Sequence, residues 1–191
     1  MTYVMKFDNL DDVYSNIWSS ISRGVNDRHS DFHTFSLATS IKDDINNRTV
    51  VLRGHNQELG KVIFHTHASS EKIKDISVNP KVECMFYSKK NKTQIRFKGK
   101  AIINQNNEVC MKKWSSMSDQ SKLCYFQNID PGLKIIDPKE VNQKLGNELS
   151  KDFSIIEVDI EKTDWLYLSH EGHLRAIFIN NQKDSGYWVA P

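Results

Sequence analysis

The fold of this chain is decided by the stretch Arg48-Thr49-Val50-Val51-Leu52-Arg53 and by the residues that follow it as far as Lys72. The first stretch predicts a short apolar strand between two arginines, and residues 62–67 predict a second strand. A helix should begin after Ser69-Ser70, which places Lys72 in its first turn. A cation there opposes the positive end of the helix dipole, so its position is easier to explain if an anion, with phosphate as the first choice, binds at this point.

Polar side chains around this stretch offer further ligands for an anion. Arg48, Arg53 and Lys72 flank a strand and a helix start that short connections should bring close together, and Thr66, Ser69 and Ser70 add hydroxyl groups. Arginine presents a planar fork to phosphate oxygens, and lysine presents a point charge. Spacing alone supports two interpretations equally, an anion site or ordinary surface charge on amphipathic elements.

Length and composition are those of one globular domain. The chain has 191 residues, a net charge of +2 and three cysteines without a paired short spacing. The small charge leaves no basic excess for general nucleic-acid binding, and the odd cysteine count predicts reduced thiols rather than a disulfide framework. No stretch is long and apolar enough to span a bilayer. We therefore expect a cytoplasmic protein without a membrane or nucleic-acid partner.

The first half of the chain predicts a helix followed by antiparallel strands. Apolar residues recur at helical spacing over residues 9–26, which predicts a packing helix. Alternation over residues 32–39 and 93–103, together with the apolar runs at 48–53, 62–67 and 82–87, predicts five strands with short connections. This pattern is typical of an antiparallel barrel or sandwich, so we expect an α+β protein with a central barrel at residues 32–103.

The second half predicts a helical segment over residues 107–147 and returning strands over residues 153–191 of the same single domain, residues 1–191. Apolar spacing predicts a helix at residues 107–127. Asp137-Pro138-Lys139-Glu140 has the N-cap, proline and capping glutamate of a second helix start, with Val141 and Leu145 facing inward. Three further strands are predicted at residues 153–160, 163–168 and 174–179.

Most common catalytic motifs are absent from the sequence. It has no dinucleotide-binding glycine motif, no P-loop and no HExxH or GxSxG motif. His65 and His67 lie two apart on one predicted strand and so share a face, where two imidazoles could ligate a metal. Because no third ligand is evident at a matching spacing, ordinary polar-face histidines are the preferred interpretation, and we predict no metal site.

Successive blocks of the sequence resemble the pyridoxamine 5′-phosphate oxidase-like family of FMN-binding split barrels. The agreement in order and spacing covers the barrel best, the C-terminal strands less well, and the N-terminal helix and residues 104–152 only weakly. The matching blocks are Arg48-Thr49-Val50-Val51-Leu52-Arg53, Ile63-Phe64-His65-Thr66-His67-Ala68-Ser69-Ser70-Glu71-Lys72, Asn79-Pro80-Lys81-Val82, Thr93-Gln94-Ile95-Arg96-Phe97-Lys98-Gly99-Lys100-Ala101, Trp165, His173-Leu174-Arg175 and Trp188-Val189-Ala190-Pro191.

The resemblance implies an antiparallel split β-barrel with peripheral helices that binds FMN. Residues 48–53 would line the phosphate and the ring, Ser70 and Lys72 would bind the phosphate, and Gln94 would lie at the ring's polar edge. Family members use two residues of the second subunit, which implies a homodimer with FMN at its interface. The implied FMN ligands are Arg48, Thr49, Val50, Val51, Leu52, Arg53, His65, Thr66, Ser70, Lys72, Gln94, Trp165 and Arg175, the last two from the second subunit.

The resemblance implies an FMN-dependent oxidoreductase that transfers a hydride between an unidentified small molecule and FMN. Glu71 and Glu171 stand where vitamin B6 oxidases have arginines. We therefore expect the flavin site to be kept and a second phosphate to be held poorly, as in FMN-binding relatives that are not B6 oxidases. His173 is a candidate acid, base or substrate contact, although a surface histidine explains it equally well. The alternative is a non-catalytic flavin or haem carrier, or a sensor, on the same barrel.

Overall fold

A computed structural model describes residues 7–191 of the chain. It opens with helix α1, Leu10–Asn26, whose N-cap Asn9 accepts a hydrogen bond from the backbone N–H of Asp12 at 2.9 Å. The buried residues of α1 recur every three or four positions, because only one face of the helix packs against the barrel.

Six antiparallel strands close into a barrel. Each strand pairs with its neighbours in the order β3-β2-β1-β4-β5-β6, and β6 returns to pair with β3. The predicted α+β split barrel is therefore confirmed. The barrel strands are β1 Thr34–Ile41, β2 Asp44–Asn56, β3 Lys61–His67, β4 Lys81–Ser88, β5 Thr93–Gln105 and β6 Phe153–Tyr167.

Strand β6 is the longest strand and closes the barrel. The two strands predicted at residues 153–160 and 163–168 are one continuous strand, which pairs with β3 on one side and with β5 on the other. A register shift at Lys98 and Gly99 accommodates its bend, and a Cβ at Gly99 would lie 1.9 Å from the carbonyl oxygen of Asp159. Only glycine fits there. Strands β7, Leu174–Ile179, and β8, Tyr187–Val189, extend the sheet beyond the barrel.

Three further helices lie outside the barrel: α2 Glu71–Val78, α3 Glu108–Ser115 and α4 Asp119–Leu123. The helix predicted at residues 107–127 is thus two short helices. The predicted capping box at Asp137 and Glu140 is present, but it caps only the single 3₁₀ turn Pro138–Glu140. Val141 and Leu145, which were predicted to face inward, are 37% and 40% exposed. Without an apolar face to bury, this segment has nothing to stabilise a longer helix.

The buried side chains form two clusters. The larger fills the barrel and the interface with α1. The smaller comprises Cys110, Trp114, Tyr125, Phe153 and Ile155, and it packs α3 and the residues after α4 against β6. Within residues 7–191, no helix has both the length and the apolar character needed to cross a membrane.

Candidate functional site

The end of β3 and the start of α2 bring three polar side chains together. Lys72 Nζ donates a hydrogen bond to Thr66 Oγ1 at 3.0 Å, and Thr66 Oγ1 lies 3.1 Å from Ser70 Oγ. Thr66 and Ser70 are buried, and Lys72 is partly buried. The chain reaches this geometry because β3 stops at His67 and a three-residue turn leads to Ser70, the N-cap of α2. The sequence predicted all three residues as a group.

The first turn of α2 carries one acidic residue, Glu71, beside Lys72. Ser70 makes no side-chain capping bond to the helix, since its hydroxyl is directed at Thr66 instead. Burial, and after it the positive charge of Arg48, lower the pKa of Lys72. Among residues 7–191, no carboxylate lies within ion-pair distance of the Lys72 ammonium group. A partly desolvated cation at a helix N-terminus is a favourable place for an anion.

Arg48 lies beside this group but already has a partner that the sequence analysis missed. Its guanidinium Nη2 is 3.3 Å from Asp75 Oδ2, and that carboxylate also accepts hydrogen bonds from Thr39 at 2.6 Å and Asn46 at 3.1 Å. The Asp75 side chain is only 2% exposed. Asp75 lies next to Ile76 on the buried side of α2. This position in the sequence could have indicated that its carboxylate is buried and needs a partner. The charge that Arg48 places near Lys72 is therefore partly neutralised by Asp75.

The strand β2 residues alternate between two faces of the sheet. Val50 and Leu52 are 8% and 0% exposed and point into the barrel core, whereas Thr49 and Arg53 are exposed on the outer face, with Val51 half-buried between them. Val50 and Leu52 can therefore approach a ligand only through their backbone. This follows from the two-residue period of a strand.

His65 is on the outer face of β3, against the second hydrophobic cluster. Its ring packs edge-on against Phe153 with centroids 5.1 Å apart. Burial, followed by the charges of Lys113 and Arg53, lowers the pKa of His65 to about 3. The imidazole is therefore neutral at physiological pH and can either donate or accept a hydrogen bond.

The burial of His65 predicts a pH dependence of stability. The ordinary histidine pKa is 6.5, and the pKa of His65 in the folded protein is about 3. Between pH 6.5 and pH 3, His65 therefore binds a proton in the unfolded state but not in the folded state. The free energy of unfolding should therefore fall as the pH drops below 6.5, by up to about 1.4 kcal/mol per pH unit from this residue. His65→Gln should remove that slope in urea denaturation at pH 7 and pH 5, whereas His173→Gln, on an exposed turn, should retain it. Equal slopes in both variants would contradict the assignment to His65.

Gln94 and Arg175 lie in one row across the outer face of the sheet. Gln94 on β5 pairs with Leu166 on β6, and Leu166 pairs with Arg175 on β7. The Arg175 guanidinium donates two hydrogen bonds to Asp164, at 3.0 and 2.7 Å, and Arg96 pairs with the same carboxylate. Asp164 was not among the residues predicted from the sequence. These residues lie on β5, β6 and β7, whereas the Lys72 group lies on β3 and α2. One chain therefore presents two separate groups of predicted ligands.

Trp165 and His173, two of the predicted site residues, lie in opposite environments. Trp165 is 0% exposed, with its ring 4.6 Å from that of Phe7, and it faces the core because it pairs with Ala176 in the inward row. It therefore offers no surface to a ligand. His173 is exposed, and its Nδ1 accepts the backbone N–H of Ser169 at 3.1 Å, which closes a turn before β7.

The part of the chain that supplies most of these residues matches a known protein family. Residues 15–105 match the family described as pyridoxamine 5′-phosphate oxidase, FMN-binding domain. This part of the chain is therefore similar to the FMN-binding domain of that family, and the FMN cofactor inferred from the resemblance is confirmed by this match. The match ends with β5, so β6 to β8 lie outside the matched range.

Solved structures share the whole fold at low sequence identity. A pyridoxamine 5′-phosphate oxidase-related, FMN-binding protein from Nostoc punctiforme superposes with a TM-score of 0.79 at 20% identity, over 98% of this chain and 100% of its own. PhzG from Burkholderia lata, in complex with tetrahydrophenazine-1-carboxylic acid, gives 0.75 at 16% identity over 100% of both chains. A haem-binding protein from Mycobacterium smegmatis gives 0.53 at 12% identity over 95% of this chain and 62% of its own. No curated protein sequence matches the chain.

Proposed function

We propose that this protein is an FMN-dependent oxidoreductase whose phosphate site is formed by Thr66, Ser70 and Lys72, with Arg48 beside them. The observation that carries the proposal is the Lys72 ammonium group, which is partly buried at a helix start without a carboxylate partner among the described residues. The phosphate of FMN would supply a direct anionic partner for this ammonium group. Bound FMN would supply the redox chemistry, hydride transfer from a small molecule.

The other residues of the chain have roles that follow from their positions. Lys72 and the two hydroxyl groups would hold the phosphate, while Arg53 and Thr49 lie exposed on the outer face of β2, where they can reach the remainder of the cofactor. His65, neutral at working pH, would exchange a hydrogen bond with the ring without adding charge. In this proposal, FMN orientation depends on neutral donors near the ring and on cations at the phosphate.

The second group of predicted ligands favours a homodimer. Gln94 and Arg175 lie on a part of the sheet that also exposes large apolar residues, since Tyr87 pairs with Gln94, and Arg175 pairs with Val189 next to Trp188. Tyr87 and Trp188 are 45% and 43% exposed. A second copy covering this surface would bring its Arg175 toward the flavin of the first. The three cysteines are unpaired, which fits the cytoplasm, where thiols stay reduced.

The competing function is a haem-binding or non-catalytic carrier on the same barrel. The specific observation in its favour is the similarity in fold to the haem-binding protein from Mycobacterium smegmatis. An axial ligand would have to be a histidine such as His65, whose neutral imidazole could coordinate iron.

The absorption spectrum of the purified full chain distinguishes the two functions. Reconstitution with FMN should give a flavin spectrum with one FMN per chain after removal of the excess. Anaerobic bleaching of that spectrum by small-molecule donors then tests the redox step. A Soret band after incubation with haem, or a protein that retains no FMN, would overturn the proposal. A flavin that no donor bleaches would favour the carrier function.

A further inference from the structure

A histidine and two carboxylates meet at the end of β3. His67, Asp130 and Asp152 each direct one ligand atom to a common point, and these atoms all lie within 4.8 Å of one another. His67 is the last residue of β3, Asp152 immediately precedes β6, and Asp130 belongs to the irregular segment after α4. Residues that are far apart in the sequence thus form one cluster.

The His67 imidazole is buried and has one nitrogen without a partner. Its side chain is 8% exposed, and its Nε2 atom has no hydrogen-bond partner among the described residues. Nδ1 accepts a hydrogen bond from the Ser69 backbone N–H at 3.4 Å and also lies 2.9 Å from Ser69 Oγ. In the tautomer in which Nδ1 instead donates to Ser69 Oγ, Nε2 presents a lone pair to the two carboxylates.

A hydrogen bond does not explain the arrangement. The Nε2 atom is 3.8 Å from Asp152 Oδ2, which is too long for a hydrogen bond to a carboxylate. Within residues 7–191, no lysine or arginine lies within ion-pair distance of Asp130 or Asp152. Two carboxylates and a lone pair around one point repel one another unless a cation lies between them.

We propose that His67, Asp130 and Asp152 bind a divalent transition-metal ion of the zinc class, with water completing its coordination. Imidazole favours such ions over Ca²⁺ and Mg²⁺, which prefer ligand sets made only of oxygen. A contact from Nδ1 to a neighbouring polar group is the usual way in which a metal-binding histidine is oriented. Bonds of about 2.0 Å need the three atoms closer together than they are, and Asp130 can supply that movement because it is exposed and outside regular structure.

Metal binding would fasten the irregular segment to the barrel. The backbone carbonyl of Asp152 accepts the N–H of Ala68 at 2.8 Å, so two of the three ligands are already held together. Asp130 is followed by a stretch with few buried side chains, in which Leu133 and Ile136 are 61% and 97% exposed. The ion would join this stretch to the β3–α2 connection.

Calorimetric titration of the chelator-treated full chain with Zn²⁺ tests the proposal. We expect one site per chain and an affinity at least about ten-fold weaker in Asp130→Asn. Asp130 is exposed, so this variant should fold normally. Glu148→Gln removes an exposed carboxylate from the same segment and should bind Zn²⁺ like the wild type. Mg²⁺ should not compete.

Limited proteolysis supplies a second readout. Zn²⁺ should slow tryptic cleavage after Lys134 and Lys139 in the wild type and in Glu148→Gln, but not in Asp130→Asn. Equal affinity in all three proteins, or no binding of Zn²⁺ at millimolar concentration, would overturn the proposal. None of the three metal ligands belongs to the Lys72 group. The Zn²⁺ experiments therefore test a different proposal from the FMN-binding experiments, and either can fail without the other.

Discussion

The Lys72→Met variant should bind FMN about 10- to 100-fold more weakly than the wild type, because one charge-assisted contact to phosphate is lost. Methionine retains most of the buried stem and removes only the charge, which has no carboxylate partner in the described structure. The fold should therefore be unaffected. Quenching of FMN fluorescence during titration with the apoprotein gives both dissociation constants.

A lysine two residues away provides the matched control. Lys74 is exposed on the same helix, so Lys74→Met makes the same substitution away from the Thr66 and Ser70 hydroxyls. It should bind FMN like the wild type. If Lys72→Met and Lys74→Met bind FMN equally well, the phosphate does not lie at the start of α2. Arg48 is a poorer probe, since its removal leaves the Asp75 carboxylate buried without its cation and would lower stability as well.

The Asp164→Ala variant should lose about 2–4 kcal/mol of unfolding free energy. The Asp164 side chain is 7% exposed and accepts hydrogen bonds from both Arg175 and Arg96. Burial alone would raise its pKa, but hydrogen bonds from Arg175 and Arg96 outweigh burial and hold the pKa below its ordinary value. Without this carboxylate, Arg175 loses its ion-pair partner, whereas Arg96 keeps its contact with Glu83 at 3.5 Å. The arginines are about one third exposed, and this limits the loss.

Asp159→Ala is the comparison for this prediction. Asp159 is 45% exposed and pairs with Lys61 on the surface, where an ion pair contributes about 0–1 kcal/mol. Urea denaturation of both variants at pH 7 measures the difference. A loss at Asp164 as small as that at Asp159 would show that the Asp164 network contributes little to stability.

The first five strands of the barrel were predictable because each contains an alternating or continuous apolar segment. Alternation located β1 and β5, apolar runs located β2, β3 and β4, and the predicted bounds lie within a few residues of the observed ones. The single strand β6 was not predictable, since the residues at its centre are polar where it passes the bulge at Gly99. The irregular segment was wrongly predicted as helical, because a capping box indicates where a helix can begin but not whether an apolar face exists to sustain it.

The candidate site was predictable where it is local in sequence. Thr66, Ser70 and Lys72 lie within seven residues, so a strand end followed by a helix start fixes their geometry. Partners from distant elements, such as Asp75 for Arg48 and Asp164 for Arg175, depend on packing that spacing does not specify. Trp165 shows a further limit, because similarity of sequence placed it at the flavin whereas its position in the sheet directs it into the core.

The closing role of β6 has a consequence for how the protein forms during synthesis. Residues 34–105 supply five of the six barrel strands. The outer edges of β3 and β5 remain unpaired until β6, residues 153–167, has been synthesised. A nascent chain that has emerged only to residue 105 therefore exposes two unprotected strand edges, which invite pairing with other chains. Residues 15–105, which match the family, thus lack the strand that closes their barrel, and we expect them to aggregate when they are produced without residues 153–167.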